Sequence, residues 1–304
     1  MGFTSGAKVL PDIVDEIADA LIASSVNWVE GDATWDTTDR STEATLARRC
    51  LKYTGDSADI WMTLEVHNYK TSEAIRYQGN DTGAQGLRVT FTSTWDSINH
   101  TWGDTKFQTF IGFEGRDWSY DMYTDMATLQ INYWLWVDST GFVVMGKPEP
   151  SSNDRQSSFI CVMEHMGTKE YSDGLTNFYC YTTRNAWWAG TGEHSGLENY
   201  RMTRPFSFQD RDENDGIQFY YDTPYARKSN GNGKVYFMKP VIHNTANNKT
   251  PIYQSELFFR LSIDAGLVDG DVIAIDGATT KFLCKMLTSP DHSNVLAFAM
   301  KYVA

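Results

Sequence analysis

Residues 133–150 read YWLWVDSTGFVVMGKPEP. Tyr133, Leu135 and Val137 alternate with Trp134 and Trp136, the run Asp138-Ser139-Thr140-Gly141 reverses the chain, and Phe142, Val143, Val144 and Met145 run back. Successive side chains of a strand point to opposite faces, so this hairpin is apolar on both. A sheet with two dry faces has to be covered twice. One cover is expected to be the core of the domain. The other is expected to be a further layer of the chain, such as the helix at 11–25, or a neighbouring subunit, in which case Trp134 and Trp136 lie in an interface. Pro148 and Pro150 end the hairpin, since neither can donate to a ladder.

The same period of two recurs on either side. Leu46, Arg48, Cys50 and Lys52 alternate with Ala47, Arg49, Leu51 and Tyr53; a turn at 54–57 follows, and 60–66 returns as the second strand of a hairpin. Further strands are expected at 87–94, 106–113, 127–137, 142–146, 158–165, 178–183, 216–220, 235–241 and 252–261. The stretch from 255 carries Asp-Gly turns at Asp269-Gly270 and Asp276-Gly277, with strands at 272–275, 281–287 and 295–303. Its last strand is apolar almost to residue 303, which fits insertion into a sheet or a partner. The fold class expected is mainly β: an antiparallel β-sandwich or rolled sheet, with an N-terminal amphipathic helix and a small C-terminal β unit.

That helix begins near Pro11. Asp12, Asp15 and Glu16 suit its positive end, and Ile13, Val14, Ile17, Ala18, Leu21 and Ile22 form one apolar face. The face either covers the chain's own core or docks on a neighbouring subunit through Ile13, Ile17 and Leu21. Three regions are expected: a helix and extended arm over 1–45, a main β domain over 46–254, and a C-terminal β unit over 255–304 that is separate from that domain or part of it.

Thirty-nine acidic against 26 basic residues give the 304-residue chain a formal charge of −13, with no basic run longer than two. Binding to phosphate backbones or anionic lipid surfaces needs a positive surface, so neither nucleic acid nor membrane is an expected partner. No stretch approaches the roughly 20 apolar residues of a membrane span, and the N-terminus lacks the pattern of a secretory signal. Synthesis in a cytoplasm is expected, with Cys50, Cys161, Cys180 and Cys284 as buried free thiols.

Signals for chemistry are sparse. A glycosidase needs two facing carboxyls in an aromatic-lined cleft, for which Glu114, Asp117, Asp121 and Glu164 are the candidates beside Trp118, Trp187 and Trp188. Cys161 and His165 share a strand face but lie roughly 13 Å apart at the usual rise, too far for one zinc ion. The acidic loop 210–216 resembles a calcium loop, but its glycine falls one place late and Tyr221 stands where a glutamate is needed. Nucleophile-elbow, phosphate-loop and dinucleotide-binding patterns are absent from the sequence, and His100, His194 and His292 are expected as solvated turn residues. No catalytic residue, cofactor or metal is assigned.

The helix ending in NWVEGD, the hairpin LARRCLKY with WMTLEVHN, the segment GLRVTFTSTWDS, the hairpin WLWVDSTGFVVMGKPEP before SFICVMEH, and VDGDVIAIDG near the end together resemble virion structural proteins of tailed bacteriophages. The resemblance is to a tail or baseplate component. It implies a non-enzymatic building block made in the host bacterial cytoplasm and present in several copies on the virion, with other copies of itself and other virion proteins as partners. A capsid or head-associated protein would share these features. A carbohydrate-binding or receptor-binding module is the alternative, with Trp118, Trp187 and Trp188 stacking on a host surface glycan.

Overall fold

The computed structural model describes residues 2–35, 45–67, 86–103, 106–112, 126–149, 158–167, 177–183, 200–203, 217–218, 237–244, 250–261, 267–274, 279–288 and 295–303. The hairpin at 133–150 lies at the centre of these. Strands Gln130–Asp138 and Gly141–Pro148 pair antiparallel, with Asp138 opposite Gly141 and Ser139-Thr140 between them. The Asp138 carboxylate accepts hydrogen bonds from the Thr140 backbone N–H at 2.9 Å and its hydroxyl at 2.6 Å, which closes the turn. Gly141 is required there, because a Cβ would lie 1.9 Å from the Met163 carbonyl oxygen of the next strand.

Six antiparallel strands make the central sheet, in the order Gly2–Val9, Gln130–Asp138, Gly141–Pro148, Phe159–His165, Phe178–Thr183, Tyr200–Thr203. Its first face carries Ile131, Tyr133, Leu135, Val137, Phe142, Val144, Phe159, Cys161, Met163, Phe178 and Cys180. Against it lies a second, five-stranded sheet in the order Trp28–Glu30, Thr45–Tyr53, Ile60–His67, Gly86–Thr92, Lys106–Gly112. Strand Lys106–Gly112 contacts Phe178–Thr183 and Tyr200–Thr203, closing the two sheets along one side. On the other side the helix Leu10–Ser24 wedges between them, touching Gln130–Asp138, Thr45–Tyr53 and Trp28–Glu30.

Helix placement follows from its apolar stripe. Ile13, Val14, Ile17, Ala18 and Leu21 are all buried in this core, and each large apolar side chain so buried contributes about 1.5–3 kcal/mol. Polar ties fix its rotation: Tyr133 donates to Glu16 at 2.5 Å, Lys8 pairs with Glu16 at 2.7 Å, and Arg49 reaches Asp19 at 2.8 Å and Glu30 at 3.3 Å. The reading of Ile13, Ile17 and Leu21 as a docking face is therefore corrected: they meet the chain's own strands.

The second face of the central sheet carries Trp136, Val143, Met145, Ile160, Val162, Tyr179 and Tyr181, packed against Leu257, Phe258, Leu283, Leu287, Phe298 and Met300. All but Leu257, which precedes Phe258–Leu261, come from a third sheet, ordered Phe237–Met238, Phe258–Leu261, Val295–Tyr302, Lys281–Thr288, Val272–Ala274. Tyr181 stacks on Phe258 at 5.6 Å, and Phe3 meets Tyr302 edge-on at 4.7 Å. The chain thus supplies both covers of its dry hairpin. Trp134 and Trp136, expected in an interface, lie under this third layer: Trp136 is 7% exposed, and the Lys285 ammonium sits 3.6 Å from the Trp134 ring centroid.

The protein is mainly β and antiparallel, with one helix among the described residues, as the alternation predicts. The segment expected as helix and arm also holds two strands. Gly2–Val9 pairs with Gln130–Asp138 and Trp28–Glu30 with Thr45–Tyr53, so residues 2–30 are built into two sheets. The last strand, Val295–Tyr302, runs through the middle of the third sheet. All four cysteines are free and buried.

Candidate functional site

Chemistry-bearing side chains concentrate on the outer face of the sheet that begins with Trp28–Glu30. Alternation turns Leu51, Met62, Leu64, Val66, Leu87, Val89 and Phe91 inward and therefore sends Arg48, Trp61, Thr63, Glu65, Arg88 and Thr90 outward. Glu65 is buried yet ionised. Arg88 donates two hydrogen bonds to it, at 2.7 and 2.8 Å, and His67 Nε2 lies 3.4 Å away. Burial pushes the carboxyl up, but the nearby His67 ring and the hydrogen bonds and charge of Arg88 outweigh it and hold Glu65 below its usual value.

A short two-stranded hairpin, Trp95–Asp96 with Thr101–Trp102, packs over this face. His100 closes it in the left-handed region at φ 54°, and its Nδ1 is 2.9 Å from Asp32 Oδ2. Asp32 also accepts from Trp95 Nε1 at 2.8 Å and from the Thr34 N–H and hydroxyl at 3.1 and 2.6 Å. Burial acts to raise its pKa, and these donors prevail, lowering it to about 2. Such a pair orients an imidazole as catalytic dyads do, but here the aspartate is the hub of a knot that joins two distant turns. Its aromatic rim is occupied by cations: Arg48 lies over Trp35 at 5.7 Å, Lys52 over Trp61 at 5.0 Å, and Arg88 over Trp102 at 4.8 Å. One face of each indole is thereby taken, and Trp102 Nε1 donates to Thr63 at 3.1 Å.

Glu164 lies elsewhere, on the central sheet beside Tyr253 of the strand Thr250–Gln254, at 2% exposure. Tyr179 and Tyr253 each donate to it at 2.6 Å. Burial raises its pKa more than these hydroxyls lower it. His165 is engaged at both nitrogens: Nε2 lies 3.0 Å from both oxygens of Asp56, and Nδ1 accepts from the Gly167 N–H at 3.2 Å. That acceptor role places the ring proton on Nε2, facing the carboxylate, while Asn177 donates to the same Asp56 at 2.7 Å.

Of the carboxyls considered for glycoside chemistry, only Glu164 falls within the described residues; Glu114, Asp117 and Asp121 lie outside them, as do Trp118, Trp187, Trp188 and the acidic loop 210–216. No group of three or more potential metal ligands occurs among the described residues. His100 is in a turn, as expected, but bonded to Asp32. The Asp32, Trp95 and His100 knot was not foreseen, and the available signal was the density of Trp in polar, turn-rich sequence at GDATW and TWDSINHTW. A tryptophan in a turn needs something to pack on, and three of them predict a small core of their own. Comparison with known proteins gave no match, either to a family model or to a curated sequence.

Proposed function

We propose that the chain is a non-enzymatic structural component of a bacteriophage virion, placed in the tail or baseplate and assembled through subunit interfaces. The location rests on the sequence resemblance. One structural observation carries the non-enzymatic part: Glu164 and His165, two of the described residues weighed for chemistry, have their polar atoms engaged by tyrosine hydroxyls, by Asp56 and by a backbone amide. These groups tie layers together, and the three stacked sheets make a block whose two buried interfaces are both internal. With its second face covered in cis, the hairpin at 133–150 no longer counts as a sign of assembly. Contacts with other subunits fall to sheet edges and connecting segments.

Mass spectrometry of purified particles, with labelled micrographs to place the signal, tests the reading. Recovery of the chain in stoichiometric amounts at the tail is the expected result; recovery at the head would move it to a capsid-associated role. Absence from particles would overturn it. Glycan binding lost on Trp187→Ala with Trp188→Ala would instead support the receptor-binding alternative.

A further inference from the structure

Strands Ile217–Gln218, Val241–Asn244 and Thr250–Gln254 form a small antiparallel sheet apart from the three large ones. Their main neighbours are one another, and they make only slight contact with the other described elements. A polar tie nevertheless crosses from this sheet to the central one. Tyr253, half-buried on Thr250–Gln254, donates to one oxygen of Glu164 at 2.6 Å, while Tyr179 of the central sheet donates to the other at 2.6 Å, its ring 6.2 Å from that of Tyr253. The buried Ser255 hydroxyl lies beside the same carboxyl, and its oxygen accepts from the Leu257 N–H at 3.2 Å as the chain turns into the third sheet.

Everything that meets Glu164 among the described residues is neutral. Glu65 has a guanidinium; Glu164 has only hydroxyls. The charged groups around it bring no cation to it. Asp138, at the end of Gln130–Asp138, adds a second negative charge, answered by Lys301 of the last strand 3.8 Å away, and exposed Glu256, near Tyr253, pairs with Lys239 at 3.4 Å. Burial and the neighbouring carboxylate push both tyrosine hydroxyls up, so they remain donors. An anion buried without a cation is costly, and burial accordingly holds Glu164 above its ordinary value. Relief is easiest where the cover is lightest: Tyr179 is fully buried within the central sheet, whereas Tyr253 stands half-buried on the small one.

We propose that Glu164 is a proton-operated latch: with its proton it holds the small sheet against the central sheet, and on losing that proton it lets the Tyr253 contact open and admit water to the carboxylate. The folded state raises the affinity of this carboxyl for its proton, so the latch is closed in acid and loosens as pH rises. Phe258, stacked on Tyr181 at 5.6 Å, stays in place, so the opening ends before the third sheet. None of this depends on the virion reading.

The test is amide hydrogen exchange on the full chain between about pH 5 and about pH 9, corrected for intrinsic exchange. In wild type, protection of Val241–Asn244 and Thr250–Gln254 is expected to fall at least about tenfold over this range, while Phe159–His165 keeps its protection. Glu164→Gln has no proton to lose and should hold the small sheet's protection level. Tyr253→Phe, which removes the tie and leaves the ring, should lower that protection already at about pH 5. A wild type whose small sheet shows no pH dependence, a Glu164→Gln variant with the wild-type profile, or a loss that extends through Phe159–His165 would overturn the proposal.

Discussion

On the helix-bearing face of the central sheet the covering side chains are mostly aliphatic, led by Ile13, Val14, Ile17, Leu21, Leu64, Val66 and Val89, with Trp28, Met62 and Phe91 among them. On the opposite face Leu257, Leu283 and Leu287 share the cover with Phe258, Phe298 and Met300, against Trp136, Tyr179 and Tyr181. The polar groups differ in step. Beyond the aliphatic core, buried Glu65 meets a guanidinium, while Glu164, on the central sheet, meets tyrosine hydroxyls. Both lose hydration, yet Glu65 is shifted down and Glu164 up. Burial alone therefore does not set a carboxyl's charge; a fixed positive partner offsets lost hydration where two neutral donors fall short.

Truncation on the two faces of one strand would break this comparison most forcefully. Phe142→Ala, facing the helix, should cost about 3–5 kcal/mol, and Met145→Ala, facing the third sheet, about 2–5 kcal/mol. Both would show as lower urea midpoints at unchanged slope. If Met145→Ala left the main transition in place, the third layer would be an independently unfolding unit. Next in size is Arg88→Ala, expected to cost about 3 kcal/mol because it leaves Glu65 buried without its guanidinium. Adding Glu65→Gln should recover part of that loss. Glu164→Gln, facing hydroxyls able to donate or accept, should shift neutral-pH stability by less than about 1 kcal/mol.

Stability measured against pH separates the carboxyls by sign. Asp32 has a folded pKa lowered from 3.8 to about 2, so its contribution is present above pH 3.8 and lost as pH falls through about 2. Asp32→Asn should flatten that acid limb. Glu164 has a folded pKa above its ordinary 4.5, so its contribution is complete below that value and declines as pH rises through the folded one. Denaturation midpoints of Glu164→Gln should lack this decline. A parallel response of both variants would show that the two sites share one electrostatic environment.

The strand pattern was legible residue by residue. Alternation at 46–53, 60–66, 127–137 and 142–146, with the turns Thr54-Gly55-Asp56-Ser57 and Asp138-Ser139-Thr140-Gly141, predicts elements that the structure pairs as hairpins, because side-chain period and turn chemistry are local properties. Gly2–Val9 was not legible. Its Gly, Thr, Ser and Ala residues give no amphipathic period, and its partner Gln130–Asp138 lies more than 120 positions away. Asp32, Trp95 and His100 escaped for the same reason, since their meeting depends on two turns brought together by the sheet beneath.

By itself the sequence determined that a largely antiparallel β protein would carry an amphipathic helix and a hairpin too apolar for a single cover. Only the tertiary structure decided what the covers are: a helix and a sheet on one face, a C-terminal sheet on the other, all from the same chain. Apolar area demands burial without naming its partner, because the hydrophobic effect is non-directional. The choice of partner comes from strand register and chain connectivity, which are set across the whole fold.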